Sequence, residues 1–324
     1  MALASGLAAQ CGVVDEVTYG TPVTVTRFYE FTGEGPQMDI ERMESAALRS
    51  GTRVQRSDRW VAGKRTVEGD LEFELANKSF GLLLKHMMGG VASAQPDSVG
   101  NPTVYKHTFT PGDLPTSMTV QMGRPDTTGT VRAFTYHGCC VNEWEIACKA
   151  GEIATLKLSL IGEDEDTATG LAVASYPSAL TLLTFINGTM TLGGSSIDVK
   201  EFSLSGNNGL ADDRYFFGSN LRKRPLEADM REYTGDITTE FNNLTDYNRF
   251  VSGTEAALVL TFDAGVISTT YNYQLKITAN VRVDGETPTV SGPDILEQPL
   301  HFKCVGNTPA SALTIDYQTT DTTP

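Results

Sequence analysis

Four carboxylates occupy alternate positions in the stretch VEGDLEFEL at residues 67–75: Glu68, Asp70, Glu72 and Glu74. On a strand, alternate side chains share a face, so these four line one side, and Val67, Leu71, Phe73 and Leu75 line the other. A second stretch, EYTGDITTEF at 232–241, repeats the arrangement. There Glu232, Asp236 and Glu240 share a face with Thr234 and Thr238, opposite Tyr233, Ile237, Thr239 and Phe241. Two carboxylates act as general acid and base only where one sits in an apolar pocket that raises its pKa. An even acidic row offers no such separation. It suits a solvated sheet face with cross-strand cations, for instance Lys157 or Lys276, or a channel wall that repels a polyanion.

Other groupings carry less chemistry. HGCC at 137–140 puts a base beside two thiols, but neighbours on a strand face opposite ways, and no helix N-terminus activates the sulfur. Parity groups Cys140 with Trp144, Ile146 and Cys148 as core. All five cysteines read as reduced, mostly buried thiols of a protein that folds in cytoplasm, since their spacing suits neither zinc nor a CxxC motif. Of the histidines, His86 lies beside an apolar helical stripe and His107 in a Gly/Pro-rich segment. The glycines of TGTV (128–131) and TLGGSS (191–196) lack a P-loop lysine, and the acidic run at 162–166 lacks calcium-loop spacing. No cofactor and no metal are expected. A net charge of −15 disfavours wrapping nucleic acid. No apolar run approaches the roughly 20 residues that cross a bilayer, and the start, MALASGLAAQCG, lacks the basic segment of a secretory signal.

The elements that hold the acidic rows are mainly strands. Alternating runs at 21–31, 116–122, 153–161, 257–262, 273–283 and 312–317 are punctuated by Gly, Asn, Asp and Pro. Two short helices stand out. Phe80, Leu83, Leu84, Met87 and Met88 form one helical stripe, with Ser79 as the expected cap and Gly89-Gly90 as the stop. In the second, Thr245 is the expected cap, Tyr247, Phe250 and Val251 the stripe, and Gly253 the stop.

Each helix follows a Gly-Asp strand, and the cassette occurs twice. Gly69 and Gly235 stand 166 residues apart, whereas PSALTL (177–182) and ASALTI (310–315) match at a spacing of 133. The first copy should therefore hold extra chain, expected as a long connection at about 91–117. MDIERMESAALRSGTRVQRSDRW (38–60) parallels IDVKEFSLSGNNGLADDRYFFGSN (197–220). The expected organisation is an N-terminal arm at 1–20, a first β domain at 21–176, a related second at 177–305, and a C-terminal strand and tail at 306–324.

The chain resembles the tail tube proteins of long, non-contractile (siphophage-type) bacteriophage tails. TYGTPVTVTRF, RSGTRVQRSDRW, VEGDLEFELANKSFGLLLKHMMGG, GRPDTTGTVRAFTYHGC and the closing SALTIDY carry the resemblance, by order and spacing together. It implies a β-sandwich or barrel with one flanking helix per domain, here in two tandem copies, and a structural, non-enzymatic virion role. It also implies self-assembly into six-domain rings that stack into a tube, assembled in the host cytoplasm. The bore would face Glu68, Asp70, Glu72, Glu74, Glu232, Asp236 and Glu240. It would enclose the tape measure protein and pass duplex DNA without specific binding; tail terminator and tail tip proteins are the other implied partners, and no membrane is. Three two-domain chains would close one ring. Alternatives are six chains with one domain decorating the tube, a terminator or completion ring, or a β-sandwich binding receptors or carbohydrate. Arg49, Arg53, Arg56 and Arg59 are expected to dock on carboxylates of the next ring, and the two termini are further candidates for ring contacts.

Overall fold

The alternating runs become strands because each buries one apolar face. The computed structural model describes residues 5–285, 287–290, 292–293 and 295–324; positions 1–4 of the expected arm lie outside them. The first part of the chain forms β1 (Gln10–Glu16), β2 (Arg27–Tyr29), β3 (Gly33–Glu34), β4 (Gln37–Glu44), β5 (Trp60–Glu74) and helix α1 (Gly81–Met88). It continues with β6 (Gly89–Ala94), β7 (Tyr105–Pro111), β8 (Ser117–Pro125), β9 (Val131–Lys149), β10 (Thr155–Gly162) and β11 (Asp164–Asp166). The second part forms β12 (Gly188–Leu192), β13 (Ser195–Ile197), β14 (Val199–Asn207), β15 (Glu232–Glu240), α2 (Thr245–Ser252) and β16 (Ala256–Ser268). Strands β17 (Tyr271–Gly285) and β18 (Glu297–Cys304), helix α3 (Pro309–Ala312) and β19 (Leu313–Thr319) complete it.

Eight strands make one continuous antiparallel sheet in the order β4–β5–β10–β9–β14–β15–β18–β17. Four come from each part of the chain, in the same order and sense. Gly69 lies opposite Leu160 on β10, and Gly235 opposite Phe302 on β18. The long strands β9 and β17 bend out of this sheet into a second layer, as strands at the corner of a sandwich do. There β8, β1 and β2 build outward from β9, and β16 and β12 from β17. Apolar residues from either side of position 176 share one core cluster, from Phe73 and Trp144 to Ile277 and Leu300.

The cassette glycines have a steric reason. A Cβ on Gly69 (φ +148°) would stand 2.2 Å from the Gly35 carbonyl oxygen, and one on Gly235 2.2 Å from the Ser203 carbonyl oxygen and 2.4 Å from the Phe302 ring. At both places neighbouring backbone, the β3–β4 link at Gly69 and strand β14 at Gly235, passes too close for any side chain.

Several expectations need correction. Residues 21–26 are not strand, and only Arg27–Tyr29 of that run pairs. Segment 91–117 is no open loop: β6 and β7 form a hairpin, and β7 pairs with the C-terminal β19, Phe109 opposite Ile315. The spacing between matched strands falls from 166 at Gly69/Gly235 to 142 at Leu160/Phe302, so the first part holds 24 extra residues there (166 less 142), and this hairpin lies in that interval. Ser79 does not cap α1. It has φ +73°, its N–H donates to the Asp321 carboxylate, and the cap position falls on Phe80 without a side-chain bond. The stripe itself is buried, including Leu83, Leu84, Met87 and Met88. Thr245 likewise caps nothing; it is the first helical residue of α2, and its N–H donates to Asn243 Oδ1. None of the α2 stripe is buried, and Val251 is 65% exposed, because that helix lies at the margin of the sheet. Cys140 is buried but not beside Trp144. The register of β9 shifts by one residue at Ser159/Leu160, which reverses parity and puts Cys139 and Val141 in the core instead.

The first and last strands both join the fold. Cys11 and Val13 of β1 are fully buried, while Tyr317 Oη and Thr319 Oγ1 of β19 donate to the Ala76 and Asn77 carbonyls, each at 2.9 Å. Asp15 at the other end of β1 holds α1, accepting from Lys85 Nζ at 2.8 Å and pairing with His86 Nε2 at 2.6 Å.

Two outcomes follow. Gly69→Ala and Gly235→Ala should each lower stability by about 1–3 kcal/mol in urea unfolding of the dispersed chain, because backbone must move to admit the methyl; unchanged midpoints would refute the steric account. Partial burial pushes the Asp15 carboxyl up, but the hydrogen bonds and charges of His86 and Lys85 outweigh it and hold the pKa at about 2. A depressed carboxylate stabilises above its unfolded value, near 3.9, and that stabilisation is lost as pH falls toward about 2. Asp15→Asn should therefore flatten the acid limb of the stability curve between about pH 4 and pH 2, read by circular dichroism.

Candidate functional site

The two acidic rows lie on one exposed face of the eight-stranded sheet. Glu68, Glu72, Glu232 and Asp236 are exposed and Asp70, Glu74 and Glu240 half-buried, while Val67, Leu71, Phe73, Tyr233 and Ile237 fill the core beneath. They share a face because β9 and β14 pair across the junction of the two parts, from Lys149 opposite Glu201 to Glu143 opposite Asn207. Trp144 of β9 turns into the core at that seam and occupies the space above Gly206, where a Cβ would meet its indole at 2.2 Å.

The same pairing adds carboxylates that the sequence reading missed. Glu143 and Glu145 on β9, Glu201 on β14 and Glu297 on β18 lie on this face, in register with the rows on β5 and β15. The alternation of Glu143 and Glu145 with Trp144 and Ile146 carried the signal for the first two.

Cations are set between the carboxylates. Lys157, on the neighbouring strand, reaches Asp70 at 2.8 Å and Glu72 at 3.6 Å; Lys200 bridges Glu240 at 3.2 Å and Glu297 at 2.9 Å. Lys303 pairs with Glu232, and His301 with Asp236. Lys276, the other expected partner, lies on the second-layer stretch of β17 between Thr261 and Asp316, away from both rows. Partial burial pushes the Asp70 carboxyl up, but hydrogen bonds from Lys157 and Ser159 outweigh it and hold the group below the usual range. Lys303 does the same for Glu232. Depressed carboxylates stay ionised at neutral pH, which opposes general-acid chemistry.

A shallow, open depression of about 540 Å³ crosses the seam, lined mainly by polar groups such as Asp70, Glu143, Lys157, Asn207 and Glu232. It lacks the enclosed apolar walls that hold a small-molecule substrate. The thiols offer no nucleophile either. Burial pushes Cys11, Cys140 and Cys304 up to about 12, and Cys139 well above its ordinary value. Among the described residues, no group of acidic, histidine and cysteine side chains could hold a metal ion, and no helix is long and apolar enough to cross a membrane.

The four arginines of segment 45–59 sit at the tip of a two-stranded ribbon, β4 with the start of β5. Arg49, Arg53 and Arg59 are exposed, while Arg56 pairs with Asp58 at 2.5 Å. The corresponding connector of the second part, 208–231, folds back onto the first part. Its Arg222 is buried and donates to Glu68 at 2.7 Å, Tyr215 Oη donates to the Arg65 carbonyl at 2.7 Å, and the Arg231 guanidinium donates to the carbonyls of Met88 and Gly112.

The family model described as phage tail tube protein matches residues 6–304. None of the curated proteins matches the chain.

Lys157→Ala should raise the titration midpoint of Asp70 in carboxylate NMR of the dispersed chain at low salt. It should change stability by less than about 1 kcal/mol, since the pair is largely solvated. An unmoved Asp70 would show that Lys157 does not hold it.

Proposed function

The chain belongs to the phage tail tube protein family, and from that premise we propose that three copies close each ring of a siphophage-type tube whose bore is the acidic face. The observation that carries the reading is the seam between β9 and β14, which puts the acidic rows of both parts on one face of one sheet. A decorating role for the second part would leave its strands outside the wall, and a continuous sheet argues against that.

Geometry favours the acidic face as the inside. The second layer and helix α1 pack on the opposite face, and the bulkier side of a closed ring lies at the larger radius. Three chains of eight strands give about 24 strands, and at about 4.8 Å between strands a circumference near 115 Å and a backbone-to-backbone diameter near 37 Å. Side chains narrow that to a bore on the scale of a nucleic-acid duplex. Six such sheets would double the diameter. Ionised carboxylates along the wall repel a phosphate backbone, which carries about one charge per 1.7 Å, so DNA slides without binding. The half-paired lysines keep the wall from repelling itself apart.

The tube would enclose the tape measure protein during assembly in the host cytoplasm, end on terminator and tip proteins, and conduct the genome at infection. Stacking would use the ribbon tip, where Arg49, Arg53, Arg56 and Arg59 dock on carboxylates of the next ring through forked hydrogen bonds.

Electron microscopy of the purified protein tests the reading. Tubes with three chains per ring are expected; isolated rings, monomers or six chains per ring would overturn it. Arg53→Glu with Arg56→Glu should leave the chain folded and shorten or abolish tubes, and normal polymerisation would reject the docking role.

A further inference from the structure

The eight-stranded sheet ends in two open edges, and the seam inside the chain shows what each edge is shaped to meet. On β9, strand β8 pairs with the front stretch as far as Met118 opposite Cys139; beyond that point the same edge is taken by β14. On β17, strand β16 pairs with the front stretch as far as Ala256 opposite Val281. Beyond that point β18 takes one edge, and among the described residues the other edge, at Arg282–Gly285, has no strand on it. The slot that β14 fills on β9 is open on β17.

The counterpart of β14 is β3 with β4. Ser205 pairs with Thr234 on β15, two residues before Asp236, and Gln37 pairs with Glu68 on β5, two residues before Asp70. β14 buries Phe202 and Leu204 through its place between β15 and β9. Among the described residues β4 pairs with β5 alone, and every one of its residues is at least partly exposed, including Met43 at 48%. Such an open edge is a template for another strand.

We infer that, in the ring proposed above and resting on that reading, the β4 edge of one chain pairs antiparallel with the open β17 edge of a second copy, in the register that β14 and β9 keep within one chain. That register sets Met38 opposite Gly285 and Asp39 opposite Asp284. The inner seam opposes Gly206 to Trp144, so the outer seam keeps a large residue against a glycine, with the sizes exchanged between the strands. Space exists for it: a Cβ on Gly285 would meet only ordinary contacts, Phe250 at 3.8 Å. The outer seam is the weaker one. Pro36 stands where Leu204 faces β9 and forfeits a ladder bond, and Asp39 against Asp284 opposes like charges that Arg282, one diagonal away, only partly offsets. A chain can therefore stay dispersed before assembly and pair laterally once several contacts form together.

Asp39 and Asp284 are exposed and fall at a non-hydrogen-bonded pair, where Cα atoms stand about 4.5 Å apart, within disulfide range. Tubes of Asp39→Cys/Asp284→Cys, oxidised and run without reductant, should give a covalent ladder of chains. Each single variant, and Asp39→Cys/Arg282→Cys with its cysteines two residues out of register, should stay mostly monomeric. Tubes that form but cross-link no more than these controls would overturn the seam and leave the tube reading standing; a wild-type chain that forms no tubes would remove the reading beneath it. Amide exchange on the unmodified protein guards against a variant that fails to assemble. The N–H groups of Met38 and Ile40 face the open edge and should exchange at least about tenfold more slowly in tubes than in the dispersed chain, and equal rates would also overturn the seam.

Discussion

The architecture depends on the antiparallel pairing of β9 with β14. Its register, from Lys149 opposite Glu201 to Glu143 opposite Asn207, converts two four-stranded runs into one sheet. Because side chains alternate, one register fixes every face at once. A slip of one residue would turn Phe202 and Leu204 out and carry Ser203 and Ser205 into the core. Trp144 above Gly206 opposes that slip, since the indole fits only where the opposing residue has no side chain. The bulge at Asn142 helps to pin it: the carbonyl of the extra residue accepts from Asn208 N–H, and its side-chain oxygen accepts from Leu210 N–H.

From that seam follow the other ties between the two parts. Connector 208–231 begins where β14 leaves β9, so it lies against the middle of β5 and the end of β10, and Arg222 can reach Glu68 and the Gly162 carbonyl from a buried position. Burying a guanidinium is costly unless its charge and donors are met, and here the carboxylate and the face of Tyr215, 5.7 Å away, meet part of that need. On the far side, β7 and β19 close a second junction, and the last strand of the chain runs against the hairpin that the first part carries as extra length. The two parts thus share strands at two places and one hydrophobic core.

The acidic face reconciles two opposing demands. Carboxylates along adjacent strands repel one another, which weakens the sheet, whereas full neutralisation would remove the negative charge of the face. The arrangement lies between: Lys157 and Lys303 sit on strands next to the carboxylates they meet, and Lys200 on β14 reaches Glu240 on the adjacent β15 and Glu297 one strand further on β18, with Glu143 and Glu145 adding charge along the middle of the sheet. The surplus stays solvated, where its repulsion is screened within about 10 Å.

Much was legible in the sequence. Period-two alternation identified the acidic rows and their buried undersides, the helical stripe identified α1, and the repeated Gly-Asp strand announced two runs of like order, because each signal depends on a residue and its near neighbours. What failed depended on distant chain. Cys140 was misplaced because a single bulge reverses parity; the 91–117 segment looked like a loop because the strand it pairs with, β19, lies some 200 residues away; Lys276 looked available because sequence alone does not say which layer a strand joins. The sequence by itself determined which side chains share a face on each strand. Only the tertiary structure decided which strands lie side by side, and so that both acidic rows form one surface, because strand pairing is a long-range contact set by core packing and not by local propensity.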